Sequence, residues 1–151
     1  MNTDSTQRRL RLERIVRAPP AHVFGAFVDP QSLSEWWGPI GFTVPRVDLD
    51  ARAGGRYRIE MQPPERDRFL LYGEYREVER PGRLAYTFTW DPATADDQEN
   101  LVALTFQPVN GGTCLILDHG PFRTDERYKL HEAGWTDTLD RLETWLAANT
   151  A

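Results

Sequence analysis

Two polar residues fall on otherwise apolar faces of alternating segments, and they are the candidates for chemistry in this chain. Arg14 lies near the N-terminus, and His119 lies near the end of a later segment. A histidine titrates near neutral pH, so His119 could act as a general acid or base or orient a ligand. The alternative is a structural histidine whose hydrogen bonds are satisfied inside the protein. This alternative is supported because the sequence pattern places no second titratable group beside His119. A buried arginine is usually paired with a carboxylate for structure, and Glu74 or Asp118 could be that partner if the strand register differs by one residue.

The remaining reactive side chains do not form a metal site or an activated nucleophile. Cys114 is the only cysteine, and it lies five positions before His119 on one predicted strand, so the two side chains face opposite sides of the sheet. On the strand face that carries Cys114, the alternation places no basic side chain that could activate the thiol. The other two histidines, His22 and His131, complete no zinc motif. We therefore expect no metal and no cofactor.

Tryptophans at two distant places indicate a binding pocket. One place is the block Trp36-Trp37-Gly38-Pro39, and the other is Gly134-Trp135. Large aromatic side chains usually finish buried, often with the indole N–H at a polar edge. The residues expected to face a ligand between a sheet and a helix are Trp36, Trp37, Tyr57, Phe69, Tyr86, Phe88, Trp90, Leu104, Phe106, Leu117, His119, Trp135 and Leu139. The alternative is a solid core, to which an aromatic stripe by itself usually belongs.

The elements that must position these side chains follow from the hydrophobic periodicity. Alternation from Arg9 to Val16 predicts a first strand, and Asp29-Pro30 begins the second of two short helices. From Phe42 onward the period is two and turn signals recur, which predicts six further strands joined as hairpins. These strands run through residues 47–49, 57–61, 69–75, 84–90, 102–106 and 115–119. Sequential hairpins indicate an antiparallel sheet.

The C-terminal segment predicts one long amphipathic helix. Its apolar stripe, at spacings of three and four, consists of Tyr128, His131, Trp135, Leu139, Leu142 and Leu146. Thr124 or Asp125 can cap its start. Gly134 in its interior costs about 1 kcal/mol relative to alanine, so we expect a close approach to the sheet there. His131 could point at the mouth of a cavity or occupy an ordinary interface position.

Length and composition predict one globular domain. We expect residues 1–8 to form a flexible tail and residues 9–151 to form the domain. The net charge of −5 argues against nucleic acid and anionic membranes as partners. The chain has no apolar leader or membrane-length stretch and a single cysteine, so we expect it to be cytoplasmic. The apolar loop 39–42 could be a lid or a contact in a homodimer.

The order of the motifs resembles the START-like (SRPBCC) superfamily, and within it the subgroup named after the C-terminal domain of the activator of Hsp90 ATPase. The motifs are Arg14, Ala18-Pro19, Val23-Phe24, Asp29-Pro30, Trp36-Trp37-Gly38-Pro39, Gly54-Gly55, Gly73-Glu74-Tyr75, Thr113 through His119, and Gly134-Trp135. The resemblance covers residues 9–148. It implies an α+β helix-grip fold, in which a curved antiparallel sheet wraps around a long C-terminal helix and two short helices follow the first strand.

The resemblance also favours a cavity over a solid core, and it implies that the cavity binds a small hydrophobic or aromatic molecule. The superfamily includes lipid and hormone carriers and polyketide aromatases and cyclases, so the fold alone does not select an activity. One alternative is an enzyme of the cyclase, aromatase or hydrolase kind, with His119 and Arg14 as catalytic candidates. A second alternative is a regulator of the Hsp90 ATPase. The chain departs from those activators, because they carry a further domain where only a short tail precedes the first strand here.

Overall fold

The computed structural model describes residues 8–149, which form a curved seven-stranded sheet and three helices. The elements are β1 (Arg8–Val16), α1 (Pro20–Val28), α2 (Pro30–Trp36), β2 (Thr43–Leu49), β3 (Arg56–Gln62), β4 (Phe69–Glu79), β5 (Arg83–Asp91), β6 (Asn100–Val109), β7 (Gly112–Phe122) and α3 (Asp125–Asn149). The strand order is β1-β7-β6-β5-β4-β3-β2, and all neighbours are antiparallel. The predicted helix-grip fold is confirmed.

Side-chain caps explain where two of the helices begin. The carboxylate of Asp29 accepts the backbone N–H of Ser32 at 3.2 Å, which satisfies one of the unpaired donors at the start of α2. The hydroxyl oxygen of Thr124 accepts the backbone N–H of Arg127 at 3.1 Å at the start of α3. The predicted cap of α2 is therefore confirmed, and Thr124 is one of the two residues predicted to cap α3.

The hairpin between β6 and β7 fixes the register of the sheet beside α3. Val109 pairs with Gly112 across a two-residue loop, in which Gly111 has a φ of 85° that favours glycine. On its other side β7 pairs with β1, with Arg14 opposite Leu115. Successive residues of a strand face opposite sides of the sheet, so this register places alternate side chains on the buried face.

The core lies between that face and the helices. Its largest fully buried side chains are Trp36, Phe24, Phe106, Phe122, Leu10, Leu71, Leu84, Leu104, Leu115, Leu117, Leu139 and Leu142. The indole N–H of Trp36 donates to the carbonyl oxygen of Ala26 at 3.2 Å, which satisfies its polar group inside the core. The stripe predicted on α3 is buried except at Tyr128, which is half-buried.

Two details differ from the sequence-based expectations. β1 begins at Arg8, one residue before the predicted boundary, because Arg8 pairs with Phe122 of β7; residues 1–7 of the predicted tail lie outside the described residues. The predicted close approach at Gly134 is wrong, because a Cβ added there would meet no atom within 4 Å. This part of α3 borders open space. Within residues 8–149, no helix combines the length and the apolar character needed to cross a membrane.

Candidate functional site

A cavity of about 350 Å³ opens between α3, the loop that follows α2, and strands β3 to β5. Its aromatic lining residues are Trp37, Phe42, Phe69, Phe88, Trp90 and Trp135. The other lining residues are Gly38, Pro39, Met61, Arg66, Leu130, His131, Ala133, Gly134, Asp137 and Thr138. An apolar, largely aromatic wall with a few polar groups is typical of small-molecule sites.

Several aromatic rings of this wall stand nearly perpendicular to one another. The ring centroids of Trp37 and Trp135 are 5.4 Å apart at an interplanar angle of 87°. Those of Phe88 and Trp90 are 5.1 Å apart, also at 87°, and Phe69 lies 5.3 Å from Trp90 at 68°. Edge-to-face contacts of this kind contribute about 0.5–1.5 kcal/mol each beyond the burial of area. They hold the rings in place around the cavity.

The loop that follows α2 forms one wall, and α3 holds it in position. Gly38 has a φ of 99°, which turns the chain away from the end of α2. Nη1 of Arg141 donates to the carbonyl oxygens of residues 37–39 at 2.9, 3.0 and 3.1 Å. Oδ2 of Asp137 accepts the backbone N–H of Ile40 at 3.3 Å. The loop is therefore tied to the helix at consecutive residues, while the side chain of Ile40 remains exposed.

His131 lies in the cavity wall with both ring nitrogens engaged. Its Nδ1 donates to the carbonyl oxygen of Arg127 at 2.7 Å, and its Nε2 accepts the indole N–H of Trp90 at 2.9 Å. These partners select the neutral ring with its proton on Nδ1. Burial lowers the pKa of His131, which favours the same neutral form. The residue lines the cavity and also packs at the interface between α3 and the sheet.

His119 lies behind the wall and is fully buried. Its Nδ1 accepts the indole N–H of Trp135 at 2.9 Å, and its Nε2 donates to Oδ1 of Asn100 at 2.8 Å. Burial, together with the ring of His131 at a centroid distance of 5.4 Å, lowers the pKa of His119 well below its usual value. The ring is neutral and has no free nitrogen, and it does not line the cavity. These surroundings match the structural alternative for this residue.

Arg14 connects β1 to α3 at a distance from the cavity. Its Nη1 donates to Oδ1 of Asp140 at 2.5 Å and to Oε2 of Glu143 at 2.9 Å. Burial by itself would lower the pKa of Arg14, but the hydrogen bonds to the two carboxylates outweigh it and raise the pKa. The partners suggested from the sequence, Glu74 and Asp118, are wrong, because the register places them on the outer face, where they pair with other arginines.

The residues expected to face a ligand divide into three groups. Those that line the cavity are Trp37, Phe69, Phe88, Trp90 and Trp135. Tyr57 and Tyr86, again with Trp37, line a separate void of about 20 Å³. The others are buried in the core: Trp36, Leu104, Phe106, Leu117, His119 and Leu139. Contact of any of them with a ligand stays a prediction.

Sequence reasoning missed the polar part of the wall. Asp137 and Thr138 lie three and four residues after Gly134, a spacing that places side chains on one face of a helix and could have identified them. Arg66 lies in the loop between β3 and β4, where no periodicity predicts a position. Within the described chain, no group of three His, Cys, Asp or Glu side chains is placed to hold a metal ion.

Known proteins share both this sequence pattern and this architecture. Residues 17–147 match the family described as activator of Hsp90 ATPase homolog 1-like protein, AHSA1. The AHSA1 protein of Silicibacter pomeroyi is 35% identical, covers 93% of this chain and 98% of its own, and superposes with a TM-score of 0.81. A protein of Chromobacterium violaceum is 28% identical, with coverage of 91% of this chain and 95% of its own chain and a TM-score of 0.80.

A more distant structure shares only the fold. DynU16, from the dynemicin biosynthetic locus, is 23% identical, with a TM-score of 0.75 over 93% of this chain and 48% of its own. A comparison with curated proteins finds no match. Because the family match spans most of the sequence and the Silicibacter protein is more than one third identical, this chain belongs to the AHSA1 family of the START-like superfamily.

Proposed function

We propose that the protein binds a small, largely apolar molecule in the aromatic cavity beside α3. The observation that carries this proposal is the cavity itself, with a volume of about 350 Å³ and six aromatic side chains in its wall. Small-molecule sites have volumes of roughly 300–1,000 Å³ and are lined mainly by apolar and aromatic groups. The ligand would lie among the rings, with a polar group near the few polar side chains of the wall.

Gly134 supports this proposal because packing does not explain it. A glycine inside a helix costs about 1 kcal/mol relative to alanine. A Cβ at this position would meet no atom within 4 Å, so no neighbour requires the missing side chain. The residue lines the cavity, and any side chain there would reduce the space for a ligand. Room for a bound molecule gives a reason for the glycine that the protein's own contacts do not.

The residues that the sequence suggested as catalytic present no free group to the cavity. Acid–base catalysis needs a titratable group that can reach the reacting atoms. Both ring nitrogens of His119 are already hydrogen-bonded behind the wall, and Arg14 is paired with two carboxylates outside the cavity. The lone pair of His131 is held by the indole N–H of Trp90. We therefore propose a carrier or sensor of an apolar molecule.

Two measurements test this function. The intact mass of freshly purified protein, compared under native and denaturing conditions, would reveal a retained ligand as extra mass that is lost on denaturation. A titration with N-phenyl-1-naphthylamine, a neutral probe whose fluorescence rises in apolar surroundings, would measure binding directly. We expect saturable binding with one site per chain. The proposal fails if the native mass equals the denatured mass and the probe also shows no saturable signal.

A matched pair of surface variants would locate the probe. Leu130 is 56% exposed and lines the cavity, whereas Leu101 is 40% exposed on β6 and does not. A methylene-sized contact is worth about 0.8 kcal/mol, so Leu130→Gln should weaken binding about fourfold or more. Leu101→Gln should leave the dissociation constant unchanged. Equal effects of the two substitutions would show that the probe binds elsewhere.

A further inference from the structure

The aromatic cavity contains one half-buried carboxylate, that of Asp137. This residue lies three positions after Gly134 on α3 and lines the cavity. Its Oδ2 accepts the backbone N–H of Ile40 at 3.3 Å, which holds the side chain against the loop. Every ion pair found among residues 8–149 involves other carboxylates, so Asp137 has no cationic side chain within ion-pair distance in the described chain. Arg141, one helical turn further along α3, directs its Nη1 to the carbonyl oxygens of residues 37–39 and forms no ion pair with Asp137 among those found in the described chain.

The wall around this carboxylate offers ring faces and few hydrogen-bond donors. The indole N–H groups of Trp90 and Trp135 are both donated to histidine nitrogens. The N–H of Trp37 is buried and has no hydrogen-bond partner among the described residues, so it is the one indole donor of this wall that is left unpaired. Ring faces carry negative electrostatic potential, and a cation within about 6 Å of a ring centroid is attracted to it. Rings that stand nearly at right angles, as Trp37 and Trp135 do, can surround one ammonium group from two sides.

Arg66 is the opposing charge in the wall, and its position weakens it. It lies in the loop between β3 and β4 and is exposed, so water and salt screen its field. Asp137 is half-buried against apolar rings, where a charge is screened less. His131 contributes no positive charge, since its hydrogen bonds hold the neutral ring. The electrostatics of the inner wall are thus those of a cation site.

We propose that the ligand is a cation, namely an amine or ammonium group joined to an apolar body. The charged group lies beside Asp137 and against the tryptophan rings, and the apolar body fills the space beside Gly134. This inference rests on the proposed function, because it names the chemical class of the molecule bound in the same cavity.

Three probes of similar size and different charge test the inference at pH 7.5. They are naphthalen-2-ylmethylammonium, the neutral 2-naphthalenemethanol and the anionic 2-naphthoate, with dissociation constants measured by calorimetry. We expect the ammonium probe to bind at least about tenfold more tightly than the alcohol, as a partly desolvated cation–π and charge contact allows. The naphthoate should bind most weakly. Raising the salt concentration should reduce the preference for the ammonium probe.

Asp137→Asn removes the charge and keeps an oxygen that can accept the N–H of Ile40. In this variant the ammonium probe should lose about tenfold in affinity and the alcohol should lose little. Asp140→Asn is the matched control, because it makes the same change in net charge on α3 at a residue that pairs with Arg14 and does not line the cavity. It should leave the affinities of all three probes unchanged.

The possible outcomes distinguish a failure of this inference from a failure of the proposed function. Binding of the alcohol without a preference for the ammonium probe, or a preference that persists in Asp137→Asn, would overturn the cation site and leave the apolar cavity intact. Tightest binding of naphthoate, lost in Arg66→Gln, would show instead that the cavity selects anions. If none of the three probes binds, the inference fails; the proposed function fails with it only if no retained ligand is found and N-phenyl-1-naphthylamine also shows no saturable binding.

Discussion

Gly134 is the position at which the cavity can be tested with the least disturbance to the fold. It lines the cavity, and an added Cβ would meet no atom within 4 Å. Gly25 of α1 also leaves an added Cβ without a contact within 4 Å, but it does not line the cavity, so it provides a matched control. Alanine at either position should raise the free energy of unfolding by up to about 1 kcal/mol, because alanine favours the helix.

A larger side chain at the same position should block binding. Gly134→Leu adds four carbon atoms, each comparable to the roughly 30 Å³ that a water molecule occupies in the liquid, or about 120 Å³ in all. The cavity measures about 350 Å³. An apolar probe that gives up four methylene-sized contacts at about 0.8 kcal/mol each loses about 3 kcal/mol. This corresponds to a rise of about 100-fold in the dissociation constant.

Two assays on the same proteins separate loss of binding from loss of folding. Urea unfolding followed by tryptophan fluorescence would give the stability of wild type, Gly134→Ala, Gly134→Leu, Gly25→Ala and Gly25→Leu. A titration with N-phenyl-1-naphthylamine would give the affinity of each. We expect the variants at position 134 to weaken binding in the order of side-chain size, and those at position 25 to bind as the wild type does.

Two results would refute this reasoning. A folded Gly134→Leu protein that binds the probe with wild-type affinity would show that the cavity beside α3 is not the binding site. A loss of stability in Gly134→Ala, without a similar loss in Gly25→Ala, would show that the helix packs against something at position 134 and that the space beside it is not open.

Three further predictions follow from buried polar contacts. Burial lowers the pKa of both His119 and His131 below the value near 6.5 of an unfolded chain, so the unfolded state takes up protons first. The free energy of unfolding should be highest above pH 6.5. As the pH is lowered further, it should decrease by at most about 1.4 kcal/mol per pH unit for each histidine. Urea unfolding at pH 7.5 and 5.5 should show a smaller decrease in His119→Gln than in the wild type. Arg141→Met should destabilise the protein by about 1–3 kcal/mol in thermal unfolding, because the carbonyl oxygens of the loop after α2 lose their shared donor. The carbonyl oxygen of Ala18 accepts the hydroxyl of Thr113 at 2.6 Å. Thr113→Val would leave that oxygen buried without this donor, so the free energy of unfolding in urea should decrease by about 1–3 kcal/mol. A change near zero would contradict this account.

Periodicity predicted the fold because each element carries its own pattern. The alternation of β5 and the stripe on α3 are local signals, and the structure turns both sets of apolar side chains toward the core, although Ala85 and Thr87 on the other face of β5 are buried as well. The partners of Arg14 could not be predicted in the same way. They depend on which turn of α3 packs against β1. The two partners are 126 and 129 residues away from Arg14 in the sequence, and no local pattern predicts contacts at such a separation.

The two adjacent tryptophans show a second limit of sequence reasoning. Trp36 is the last residue of α2 and points into the core, where its indole N–H bonds to Ala26. Trp37 has left the helical conformation, with φ −68° and ψ 142°, and its ring reaches the cavity. A helical pattern assigns both tryptophans to the same apolar face of α2. The backbone angles change at the end of the helix, however, so the side chain of Trp37 points in a different direction. The site begins at the residue where the regular pattern stops.

The two buried histidines bear on the ligand chemistry proposed for the cavity, although neither has a free ring nitrogen. Each takes the N–H of a wall tryptophan, Trp90 for His131 and Trp135 for His119. An indole whose N–H is already bonded gives a ligand its ring face and edge, but no further donor. With only the buried N–H of Trp37 left unpaired in that wall, such rings support the proposed preference for apolar or positively charged groups. The same two hydrogen bonds therefore satisfy buried polar groups behind the wall and reduce the number of donors that the wall offers to the proposed ligand.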